Sequence, residues 1–151
     1  MNRVAGLAAL VLITLSIRRH RFELLGTINP GKLLNLGVSV SVYSGQPYTL
    51  ITGIDQFHTG TANGRPAGVS RNSLQGPAYA DLDLRWSRDF IVRKSKKKEG
   101  DIKATLAVDA FNVLNQVNYS SFIGNLSSPF FGQAITAQPA RRLQFSFRLK
   151  F

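Results

Sequence analysis

Cysteine is absent from the 151 residues. Disulfide bonds and thiolate metal sites are therefore excluded, and the redox compartment stays open. Acidic residues are scarce: eight Asp and Glu stand against nineteen Lys and Arg, a formal net charge of +11. The two histidines, His20 and His58, lie far apart without ligand-spaced companions and read as solvated loop or turn residues. No G-x-S-x-G, H-E-x-x-H, Walker loop or G-x-G-x-x-G occurs. No catalytic residue, metal site or cofactor is expected, and the chain is not read as an enzyme. Long apolar runs are missing too. The longest, Val4 to Ile17, falls short of the about 20 residues of a transmembrane helix and has the length of a signal-peptide core.

The basic excess suggests nucleic acid or an anionic membrane surface. The charges are dispersed, however, many of them on polar registers of alternating segments. One group clusters at Arg93, Lys94, Lys96, Lys97 and Lys98. That run reads as a solvated turn, with anionic phospholipid headgroups as the alternative. No RNA- or DNA-binding motif accompanies it, so nucleic acid is not an expected partner.

What the sequence does contain is alternation. In Arg141 to Phe151, Leu143, Phe145, Phe147, Leu149 and Phe151 share one register, and Arg142, Gln144, Ser146, Arg148 and Lys150 share the other. Successive side chains of a strand point to opposite faces, so this strand has one apolar and one basic, polar face. It suits a wall with lipid outside and a polar filling inside. Half-buried strands of soluble sandwiches alternate likewise, and the rest of the chain has to decide.

Arg21 to Ile28 alternates loosely. Asn29-Pro30-Gly31-Lys32 has turn chemistry, and Leu34 to Val42 alternates cleanly, so the two runs read as a hairpin. Asp81 to Val92 and Ile102 to Ala110 alternate as well. Arg88 interrupts the apolar register of the first, which places it near a membrane edge or at a bulge. Trp86 and Phe90 beside it read as girdle residues. Asp81, Asp83 and Asp109 fall on polar registers and are expected to pair with Arg85, Arg142 or Arg148 across strands, each pair contributing about 0.2–1 kcal/mol.

Connections alternate in length: short at 29–32, long at 44–78, short at 93–101, long at 111–140. The first long one has room for short strand extensions near Tyr48 to Ile51. In the second, Phe111 to Tyr119 is expected to make a short helical turn. Structureless connections of this length are uncommon in compact soluble domains. Outer-membrane barrels have short periplasmic turns and long extracellular loops. The expectation is an all-β chain: an antiparallel meander of about five transmembrane strands, forming part of an outer-membrane β-barrel without closing it. Residues 1–19 are set apart from 20–151. Val4 to Ile17 has three readings: an uncleaved signal, a preceding barrel strand that has lost its alternation, or extraneous sequence ahead of a truncated reading frame. The third is preferred.

Three stretches carry a family resemblance. Arg65 to Phe90, with Arg65, Pro66, Arg71, Asn72, Gly76 and Pro77, resembles the approach to a late barrel strand in TonB-dependent outer-membrane receptors, especially the Oar-like group. Asp109 to Tyr119 is similar to the segment before that family's last loop. Ser127 to Phe151 resembles its C-terminus through Pro139, Arg141, Arg142 and the terminal Phe. The resemblance implies nutrient import through a 22-stranded barrel driven by TonB, in a Gram-negative type of outer membrane. It implies as partners the membrane lipid, the rest of the barrel and its plug, TonB in the intact receptor only, and the barrel-assembly machinery. That machinery would read Leu143, Phe145, Phe147, Leu149 and Phe151. A ligand contact from Arg65, Arg71 or Asn72 would arise only in the intact receptor.

No plug or TonB box is present in the sequence, and about five strands are fewer than the eight of the smallest transmembrane barrels. The chain is therefore expected to be the C-terminal piece of a receptor, inactive alone. Two other readings stay open. A small structural or adhesin-like barrel assembled from several chains would show as a heat-sensitive oligomer. A soluble nucleic-acid-binding β-protein would show steeply salt-dependent binding.

Overall fold

The computed structural model describes residues 7–13, 18–29, 35–56, 58–93 and 102–151. Among these residues ten strands follow one another: β1 (Leu7–Ile13), β2 (Arg21–Ile28), β3 (Asn35–Tyr43), β4 (Pro47–Tyr48), β5 (Leu74–Gln75), β6 (Tyr79–Arg93), β7 (Ile102–Phe111), β8 (Tyr119–Phe122), β9 (Ala134–Ala137) and β10 (Arg142–Lys150). The main sheet has the order β1-β2-β3-β6-β7-β10, with every neighbouring pair antiparallel. The strands skipped in that order form two small ladders, β4-β5 and β8-β9, within the long connections. Removing those insertions leaves an up-and-down meander.

The sheet has six strands, one more than expected. The additional strand comes from the apolar N-terminal run. Leu7–Ile13 pairs along its length with β2, from Leu7 opposite Ile28 to Ile13 opposite Phe22, as the preceding-strand reading of that run has it. The division drawn between 19 and 20 thus separates two hydrogen-bonded neighbours. Pro30 to Lys32 of the first short turn, and Lys94 to Lys98 of the basic cluster, lie outside the described residues.

Alternation and register together sort the side chains. Ile28 faces Leu36, Leu36 faces Trp86, Trp86 faces Val108 and Val108 faces Phe145, so one apolar row crosses five strands. One residue along, Thr27, Gly37, Arg85, Asp109 and Gln144 make a row on the other face. Because the side-chain period is two, slipping any strand by one residue would exchange its faces. Arg88 keeps this register and pairs with Leu106 on the apolar face. The bulge lies further along, between Ile91 and Arg93.

Among the described residues neither face is covered by a second layer. Among the described residues the buried apolar side chains are Ala104 and Ala107, which stand on opposite faces of β7. On β10, Leu143, Phe145, Phe147 and Leu149 are 51–76% exposed. Full burial of such a side chain contributes about 1.5–3 kcal/mol, and half or more of that is forgone where it stands in water. A sheet of this kind needs an apolar solvent against one face. No helix among the described residues is long and apolar enough to cross a membrane, which says nothing of strands.

The face assignment has a direct test. In a bilayer, Val38→Arg on the apolar face is expected to cost about 2–4 kcal/mol, and Ser39→Arg on the other face less than about 1 kcal/mol. Guanidinium titration of vesicle-reconstituted protein, followed by the fluorescence of the single tryptophan, reads both.

Candidate functional site

The polar face and the long-loop end of the sheet hold most of the specific side-chain chemistry. Arg85 on β6 donates to Asp109 on β7 at 2.8 Å, and Asp109 is 7% exposed. Nearer the short-turn end, Thr105 donates to Asp89 at 2.6 Å. Of the three expected carboxylate pairings, the Asp109 one forms with Arg85. Asp83 instead accepts the backbone N–H of Asn112 at 2.9 Å. Arg142 lies over the ring of Phe111, with 4.6 Å to its centroid. At the loop end, Tyr43 and Tyr79 stack at 4.9 Å. The Arg18 guanidinium sits 4.9 Å from the Tyr43 ring and 5.8 Å from the Tyr79 ring. Glu23 accepts hydrogen bonds from both Tyr43 and Arg21.

Two asparagines tie the loop end together, and the sequence reading assigned them no role. Asn112 is 5% exposed and Asn118 1%. Asn118 accepts from the N–H of Ala80 at 3.1 Å and donates to the carbonyl of Ala80 at 2.8 Å. It thereby satisfies both main-chain groups of a residue on β6, in the manner of an added strand. Asn112 donates to the carbonyls of Gln116 and Pro139 and accepts from the N–H of Gln116. Pro139 leads directly into β10, so this side chain connects the end of β7 to the start of its neighbour. Asn112 and Asn115 have positive φ, 48° and 54°. They turn the chain sharply where a helical turn was expected, and Asn tolerates that conformation better than most residues. The density of Asn immediately after an alternating run is the signal that could have revealed this.

Beneath these groups lies a cavity of about 200 Å³ lined by Tyr79, Asp81, Asp83, Asn112, Asn118 and Arg142, among others. Among the described residues no group of three or more His, Asp or Glu is placed to hold a metal ion.

The two long connections also lock onto each other. Ile51 donates to the carbonyl of Gly124 and accepts from the N–H of Leu126, both at 2.9 Å. Ser127 donates to the carbonyl of Thr52 at 2.7 Å. Tyr48 stacks on Phe122 at 5.2 Å. Close approach requires glycine at this seam. A Cβ at Gly124 would run into the carbonyl of Thr49, and one at Gly76 into the Phe122 ring.

The loop residues singled out from the sequence divide between two places. Asn72 has φ 57° and exchanges hydrogen bonds with Thr49, while Gly76 donates to the carbonyl of Gln46. Both hold the first loop to its own base. Arg65, Pro66 and Arg71 line a separate open hollow at the loop's far end, where Arg65 donates to the carbonyl of Val69. Pro77 is exposed just before β6. Trp86 is the middle residue of β6 and Phe90 lies four residues nearer its short-turn end. Leu143, Phe145, Phe147 and Leu149 line the apolar face of β10, and Phe151 follows it fully exposed.

Residues 63–144 match a family model described as an outer membrane beta barrel domain. No curated protein and no solved structure matches the chain.

Replacing Asn118 by Ala orphans both main-chain groups of Ala80, and a buried group without a partner costs about 1–3 kcal/mol. The expected result is a lower denaturant midpoint for Asn118→Ala, with at least as large a loss at neutral pH for Asn118→Asp, whose second carboxylate oxygen faces the Ala80 carbonyl and whose charge is buried without a partner. Gly124→Ala is expected to part the two loops. Faster protease cleavage within 44–78 and 112–141 on intact cells, with the barrel strands still protected, would show it.

Proposed function

The chain belongs to the outer membrane beta barrel domain family, and from that premise we propose that it forms the C-terminal part of the wall of a TonB-dependent transporter. The observation that carries the reading is the open sheet. β1 and β10 each pair on one side only among the described residues. In hydrocarbon, each unpaired N–H or C=O costs several kcal/mol. A six-stranded meander with lipid against one face therefore calls for further strands at both edges. In a transporter those strands come from the rest of the same wall, and the polar face lines the lumen.

Three further features support the reading. The connections at 29–34 and 94–101 join strand ends on the same side of the sheet as the end of β10; the two long, interlocked loops lie on the other side, together with the β1–β2 connection, and long loops gathered on one side are the polarity of outer-membrane barrels. Arg85, Asp89 and Asp109 stand on the face that would meet a plug. The stretches Arg65 to Phe90, Asp109 to Tyr119 and Ser127 to Phe151 resemble those of TonB-dependent receptors. In this account β10, with Phe151, is the segment read by the assembly machinery of a Gram-negative type of envelope. Plug and TonB act on the intact transporter. No catalytic residue or cofactor has a part.

The unpaired edges also suit the alternative, a barrel built from several copies of the chain. An immunoblot of isolated outer membranes with antibody to 109–151 separates the two. The transporter reading expects a band far larger than 16.6 kDa that co-purifies with TonB from energised cells. A 16.6 kDa band that migrates as an oligomer until heated would favour the multi-chain barrel and overturn the transporter.

A further inference from the structure

The apolar face is interrupted by positive charge at one place, and a fold irregularity helps put it there. Arg88 holds the regular register and faces the same side as Trp86 and Phe90. Arg93, five positions on, would by strict alternation stand on the polar face with Ile91. The bulge between Ile91 and Arg93 inserts one residue and pairs Arg93 with Ile102. That pairing puts Arg93 on the side of Ala104 and Leu106, the apolar side. Two arginines thus flank Phe90 at the short-turn end.

The Arg88 side chain runs along the strand in that direction, with its guanidinium 4.8 Å from the centre of the Phe90 ring. Long cationic side chains lean in this way toward the edge of an apolar layer. Among the described residues neither arginine is in an ion pair. The ion pairs among the described residues are Arg21 with Glu23 and Arg85 with Asp109. The nearest carboxylate on the strand, Asp89, faces the other side and accepts from Thr105.

We propose that Arg88 and Arg93, with Phe90 between them, form a site on the outer surface of the wall for the phosphate of an anionic phospholipid in the leaflet at the short-turn end. This rests on the reading of the chain as an outer-membrane wall. Guanidinium forks match phosphate oxygens in pairs, and their weak hydration suits a headgroup boundary. The ring of Phe90 is placed to lie along the first acyl carbons, below the phosphate. The bulge is then a device that brings a second charge to the lipid.

Trp86 provides the probe, since it is the chain's single tryptophan and stands two residues from Arg88 on the same face. The protein is reconstituted into phosphatidylcholine bilayers holding equal mole fractions of either brominated phosphatidylglycerol or brominated phosphatidylcholine. Quenching of Trp86 is expected to show a roughly five-fold preference for the anionic lipid at low salt, weakening as salt is added. In Arg88→Gln/Arg93→Gln the preference disappears, while quenching by brominated phosphatidylcholine is unchanged and so reports an intact fold. Equal quenching by the two lipids in the unaltered protein, or a preference that survives in the double variant, would overturn the site and leave the wall reading standing. Absence of quenching by either lipid would overturn the wall reading, and the site with it.

Discussion

A strand surrounded by hydrocarbon has no water to satisfy its main chain, so every amide must find its partner in a neighbouring strand. That constraint organises this protein. It fixes the main sheet as a continuous ladder from β1 to β10, and it makes register the quantity on which all else depends. With register held, the two-residue period places Leu36, Trp86, Val108 and Phe145 on one side and Arg85, Asp109 and Gln144 on the other. Nothing needs to pack above the apolar side, because lipid takes the place of a core. This accounts for a sheet in which the buried apolar residues, among those described, are two alanines, while phenylalanines stand open to the outside.

The same constraint explains where polar side chains do main-chain work. Beyond the loop end of β7 the regular ladder stops, and Asn118 takes over by holding both groups of Ala80. Asn112 then carries the connection across to Pro139 and the start of β10. These contacts set the exit of the second long loop. The seam at Ile51, Gly124 and Leu126 joins that loop to the first. Rigidity at the loop end is thus assembled from side chains and turns where strand pairing has run out.

Much of the sheet was legible in the sequence because strict alternation has few other readings. Leu34 to Val42 and Arg141 to Phe151 reveal their faces residue by residue, and Leu36 and Phe145 stand where that pattern puts them. Leu7–Ile13 was harder, because apolar residues on both registers remove the periodic signal, and a run of that kind imitates a signal segment. The bulge at the end of β6 was not legible at Arg88, where the pattern broke. A charge on an apolar register and a register shift look alike in sequence, and pairing with Ile102 is needed to tell them apart. The loop end was least legible. Asn112 and Asn118 act on residues about 30 to 40 positions away, and no local pattern reports such distant partners.

The central claim is that one face of this sheet meets lipid and the other meets water. The absence of native cysteine makes a direct measurement available: single cysteines placed in turn along 142–150, with the assembled protein in membranes treated with a water-soluble maleimide. The account predicts labelling that alternates, strong at 142, 144, 146, 148 and 150 and weak at 143, 145, 147 and 149. Labelling that is uniform along the strand, or that alternates in the opposite phase, would contradict it.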